Sequence, residues 1–186
     1  MKQTRVVIFI LVALAQLSVP AVLTWGRIQT LAHGRVWKFK TAPVDPEDAI
    51  RGRYIRLSYA IEEFAQSERV NWKSPIYVVL KEGPDGFAQI DHISQTPITG
   101  DNVVQADAGG WSESDHIQMI ALPFRTYWVT EKIAPEAEQA YRNNSTRKNQ
   151  NAFVTVRVRN GDAALEQLYI DNQPLVDYLR AVAEKK

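Results

Sequence analysis

The chain has 186 residues, 45% of them hydrophobic and 23% charged, with a formal net charge of +1 and no cysteine. That composition belongs to a folded protein of about one domain. It excludes disulfides, thiolate metal sites, cysteine nucleophiles and a lipidated N-terminal cysteine. The near-zero charge and the interspersion of acids with bases argue against a nucleic-acid partner, which needs a concentrated basic field.

Lys2 and Arg5 precede a run without charge that lasts until Arg27. About 20 apolar residues at 1.5 Å rise cross a hydrocarbon core of about 30 Å, so residues 1–25 are expected to be a transmembrane anchor. The leading basic residues place the N-terminus in the cytoplasm, with Trp25 at the far interface. The rest of the chain is then expected in the periplasm, outside the inner membrane, on a single-pass protein. Two other readings stay open. Val19-Pro20-Ala21 resembles a cleavage site that would release a soluble periplasmic module, and the run could be a buried helix of a soluble domain. Gln16 and Ser18 are tolerable in a single span, and Pro20 would kink it.

Residues 26–35 read as a polar stalk that extends the helix until His33-Gly34. Residues 36–41 alternate with period two and predict a strand. Residues 42–48 carry two prolines and predict an ordered, extended turn. Further strands are expected over 54–62, 76–81, 87–93, 116–122, 153–159 and 165–170. Glu82-Gly83-Pro84-Asp85-Gly86 marks a hairpin turn, and Asn160-Gly161-Asp162 marks another. Residues 107–114, with Gly109-Gly110, and the polar stretch 143–151 are expected as loops. Helices are expected at 135–142 and after Pro174, where Leu175, Tyr178, Leu179 and Val182 form an apolar stripe. The fold expected is α+β and β-dominated: an N-terminal transmembrane helix, then one antiparallel β-rich domain over 36–186 with a short C-terminal helix.

Gly52 can take positive φ and is a natural pivot between the Pro/Asp turn and the next strand. Beyond it Ile55, Leu57 and Tyr59 share a core-like face, while Tyr54, Arg56 and Ser58 share an amphipathic one. Asp45 and Asp48 lie upstream of Arg51 and Arg53, so a carboxylate–guanidinium network is expected across the turn. It would either pin the turn or present an arginine to an anion.

Pro43-Val44-Asp45-Pro46-Glu47-Asp48 followed by Arg51-Gly52-Arg53-Tyr54-Ile55-Arg56-Leu57-Ser58-Tyr59 resembles the defining motif of the GDYXXLXY family, bacterial proteins of unresolved function with an N-terminal membrane segment. Gly52, Tyr54, Leu57 and Tyr59 match at the motif's spacing. Arg53 departs from it, standing where the family has aspartate, which counts against an obligatory acid or metal ligand there. Tyr127-Trp128-Val129-Thr130-Glu131 with Ala137-Glu138, and 169–175, resemble further family segments. The resemblance implies a polytopic membrane protein as partner and supplies no chemistry.

Candidate chemistry is sparse. Asp91-His92 recurs as Asp115-His116, and the two pairs together have metal-ligand chemistry. Glu131, Glu136 and Glu138 are candidate acid/base groups, as are Glu62 and Glu63; opposed carboxylates are what glycoside hydrolysis uses. No Gly-x-Ser-x-Gly elbow and no phosphate-binding glycine loop occurs. Trp72, Trp111, Tyr127 and Trp128 are candidates to line a sugar or peptide groove, with Trp111 the best exposed. No pattern calls for a cofactor. The functional expectation is a non-enzymatic, membrane-anchored periplasmic accessory domain, its candidate binding residues being Asp45, Asp48, Arg51, Gly52, Arg53, Tyr54, Leu57, Tyr59 and Trp111. The rival is an envelope glycan or peptide hydrolase using Glu131 and Glu138 or the Asp-His pairs.

Overall fold

The computed structural model describes residues 2–42, 54–66, 70–71, 74–146 and 149–184, with the backbone alone described for Lys2, Thr4 and Arg5. Helix α1 (Lys2–His33) begins the chain. Strands β1 (Arg35–Lys40), β2 (Tyr54–Arg56) and β3 (Glu63–Ala65) follow, then β4 (Ile76–Glu82), β5 (Ala88–Ser94), β6 (Val103–Ser112), β7 (Ile117–Ala121) and β8 (Thr126–Trp128). Helix α2 (Ala134–Asn144) precedes a two-residue-per-strand hairpin, β9 (Ser145–Thr146) and β10 (Asn149–Gln150). The chain closes with β11 (Ala152–Arg159), β12 (Asp162–Ile170), β13 (Gln173–Pro174) and α3 (Leu175–Ala183).

The segment of α1 from Val6 onward is long and apolar enough to cross a membrane, and its large side chains are exposed, as single-pass anchoring requires. The expected stalk is the last two turns of the same helix. Those turns are docked on the domain: Thr30 is buried, and a Cβ on Gly34 would stand 3.1 Å from the backbone of Val158 on β11. One residue, Gly34, separates helix from strand, and its bare Cα permits the helix end to approach the sheet.

Two sheets enclose the core. One has the order β1-β11-β12-β13 and the other β3-β7-β6-β4-β5, and every named ladder is antiparallel. Trp37, Phe39, Val154, Val156 and Leu168 from the first sheet share a cluster with Ile76, Val78, Leu80, Val104 and Ile120 from the second. Residues 152–156 of β11 are buried without alternation, so this central strand is covered on both faces. The Asn160-Gly161 turn lies where expected, both residues at positive φ (51° and 94°), as a tight two-residue hairpin requires.

Three expectations are corrected. Residues 107–114 are not one loop: 107–112 continue β6, whose register shifts between Ala108 and Trp111 as a bulge, and only Glu113 and Ser114 belong to the turn before β7. Gly109 is required there because a Cβ on it would stand 3.0 Å from the Cβ of Met119 on the partner strand. Gln118, buried in β7, serves the bulge by donating to the carbonyls of Gly109, Gly110 and Met119 at 3.2, 3.1 and 2.8 Å. The strand expected over 54–62 ends at Arg56 and gives way to a 3-10 turn over Ala60–Glu62. Within 143–151, the end of α2 and the β9–β10 hairpin replace an irregular loop.

Candidate functional site

The described part of the Gly-x-Tyr motif sits at the seam between the two sheets. Ile55, Leu57 and Tyr59 are all buried, as their period-two alignment predicts. Leu57 N–H donates to the Arg125 carbonyl at 2.8 Å, and Tyr59 Oη donates to the Phe124 carbonyl at 2.7 Å. The Tyr59 ring meets Phe124 at 5.2 Å and Phe39 at 5.9 Å, and those two rings lie 4.9 Å apart. Thr41 bridges to Tyr59, and Ala42 N–H donates to the Ser58 carbonyl at 2.8 Å.

One ion pair locks this seam. Glu62 Oε1 receives Arg125 Nε at 2.8 Å and Nη2 at 2.7 Å, while its Oε2 accepts the Tyr59 N–H at 3.2 Å. Arg125 Nη2 also donates to the Ile120 carbonyl at 3.2 Å. Charge-assisted bonds of this kind are stronger than neutral ones. Burial raises the Tyr59 phenol well above its usual range, with Tyr141 and Glu62 adding to the effect and Arg125 opposing it. Tyr141 is raised chiefly by burial too, against the Ser145, Ser58 and Thr41 groups beside it. Both therefore act as neutral groups. Glu62 was a candidate acid, but its oxygens are committed to holding the fold.

Asp45, Asp48, Arg51, Gly52 and Arg53, with the turn network expected among them, lie outside the described residues, as does Trp72. Tyr54 pairs with Trp128 across β2 and β8, their rings 5.4 Å apart, and Trp128 is 68% exposed. Trp111 is not the exposed loop residue expected. It stands half-buried on β6, its ring 6.1 Å from that of His116.

The Asp-His pairs are held apart. His92 lies on β5 at one edge, while His116 leads into β7, three strand positions away. At about 4.8 Å per strand that is about 14 Å, too far to share an ion. Asp91 engages Lys81 (3.3 Å) and His92 (2.9 Å), and the His92 and Lys81 hydrogen bonds hold its carboxyl below the usual range. Asp115 accepts from Ser112 and Ser114, which lower it likewise. Among the described residues no group of three potential ligands gathers. Glu138 pairs along α2 with Arg142 at 3.7 Å, and Glu131 is exposed in the turn before that helix. Among the open recesses of the described surface are five of about 260–620 Å³. The walls of these five contain neither Glu131 nor Glu138 nor either Asp-His pair.

These features define a class: a β-rich domain fixed to a helix with membrane-spanning character, whose signature motif builds the join between its sheets. A family model described as GDYXXLXY protein matches residues 16–168. The chain belongs to that family, with Gly52, Tyr54, Leu57 and Tyr59 in the motif positions and arginine at the second. No curated protein and no solved structure matches it.

Proposed function

We propose that the protein is a membrane-anchored accessory domain on the periplasmic side of the bacterial inner membrane, working with an integral membrane partner. The observation that carries this reading is the short passage from helix to domain: α1 runs to His33, and its Thr30 and the following Gly34 are buried against the first sheet. A domain so held stays at the bilayer surface, where its effective concentration toward a membrane partner is high. Supporting it, Trp128 offers the residue type that dominates binding hot spots, on the exposed side of the motif.

The test is co-purification of the full chain from gently solubilised membranes. A polytopic protein retained in fixed proportion is the expected result, and a single species with nothing attached overturns the proposal. Protease added to cells with an opened outer membrane should remove the domain. Digestion only from the cytosolic face would reverse the orientation.

A further inference from the structure

Residue 16 concentrates hydrogen-bonding capacity at the depth where a bilayer offers none. In the uncharged stretch from Val6 to Trp25, Gln16 lies at the middle, about 15 Å from either edge of the hydrocarbon. Its side chain is exposed on α1. Pro20, inside the same helix, has no N–H to give to the carbonyl four residues earlier, and that carbonyl belongs to Gln16. A primary amide and a freed backbone oxygen therefore occupy one level of the span. Polar groups there are satisfied by neighbouring helices, and Gln is among the side chains that bond between them.

The direction of this patch is fixed by the rest of the helix. Gln16 and Thr30 are separated by about 3.9 turns, so they lie within about 40° of one another around the axis. Thr30 is buried against the domain. The amide thus points to the side that the domain overhangs. On that side an open recess of about 620 Å³ lies between Val22, Leu23, Gly26 and Thr30 of α1 and Asp162–Ala164 of the domain.

The overhang decides the occupant. In a symmetric pair joined through Gln16, the two helices would stand about 8–10 Å apart, and each domain would need the space above the other's helix. That clash disfavours a second copy as the occupant. The site fits a helix that ends or turns at the membrane surface.

We infer that the Gln16 face of α1, roofed by the start of β12, is the docking site for a transmembrane helix of a different protein, one that brings a hydrogen-bonding side chain to mid-bilayer depth and ends beneath the domain. This rests on the accessory-domain reading and gives that partner a location.

The test places a photoreactive amino acid in the full chain, in its native membrane, at Val12 or Leu23 on the Gln16 side and at Leu14 or Ala21 on the far side. Adducts carrying a peptide from a membrane-spanning segment of another protein are expected at Val12 and Leu23, at about five times the far-side yield or more. Gln16→Leu, which keeps the span apolar, should lower the Leu23 yield about three- to tenfold, the effect of one interhelical hydrogen bond. Adducts between two copies, lipid adducts alone, equal yields on both sides, or an unchanged yield in Gln16→Leu each overturn the inference. If a partner co-purifies but crosslinks from the far side, the accessory reading survives and this docking site does not. If no partner is retained, both fall.

Discussion

The Glu62–Arg125 pair should be worth more than a surface ion pair and less than a fully buried one. Exposed pairs couple by about 0.2–1 kcal/mol, whereas breaking a buried pair costs about 3–5 kcal/mol. Glu62 retains 10% of its side-chain exposure, but Arg125 retains 38%, so water screens the guanidinium end. A coupling of about 1.5–2.5 kcal/mol follows, between those limits. Arg125→Met removes both contacts to Glu62 and the bond to the Ile120 carbonyl, and should destabilise by about 2–3 kcal/mol. Glu62→Gln keeps an oxygen for the Tyr59 N–H and should cost about 1–2 kcal/mol. The assay is a double-mutant cycle on the full chain in mild detergent, by guanidinium denaturation followed through tryptophan fluorescence. Additive single effects, with coupling below about 0.5 kcal/mol, would refute the claim that this pair locks the seam.

Leu57→Ala should cost about 3–5 kcal/mol, because a fully buried side chain at the seam is deleted; a loss below about 1 kcal/mol in the same denaturation assay would show that the seam closes over the gap. Gly34→Ala places a Cβ 2.5 Å from the Thr30 carbonyl and 3.1 Å from the Val158 backbone, neither of which yields easily. It should cost about 1–3 kcal/mol and raise amide exchange over residues 26–34, and unchanged exchange would refute tight docking. Burial raises Tyr59 and Tyr141 in the folded state, so their contribution is complete below the unfolded tyrosine value of about 10 and declines as pH rises beyond it. Denaturation midpoints from pH 8 to 11.5 should fall less in the Tyr59→Phe/Tyr141→Phe double variant than in the parent, and equal slopes would count against this.

Patterns of short range were readable in the amino-acid order. The alternation of Ile55, Leu57 and Tyr59 identifies the buried face, and Leu175, Tyr178 and Leu179 identify the docked side of α3, while Val182 of the same stripe is exposed. The Asn160-Gly161 turn was legible because positive φ demands particular residues. What escaped depends on contacts distant in the chain. Glu62 reads as half of an acidic pair until Arg125, 63 positions later, is folded onto it. Gly109-Gly110 reads as a loop because the reason for the first of those glycines, Met119, lies on another strand. The β9 and β10 strands are too short to display any period. Of the candidate site, Tyr54 and Trp128 are each marked by the residue pattern, but their cross-strand partnership is not.

The one-residue join at Gly34 also leaves almost no slack between the last turns of α1 and the domain, so a tilt of those turns carries the domain with it. Membrane helices lean to match the local bilayer, by about 20° on average. An added lean of about 10° would sweep a point 30 Å above the surface sideways by about 5 Å. Bilayer thickness would then set where the outer end of this protein reaches, which distance measurements between a label there and one on the lipid surface can follow.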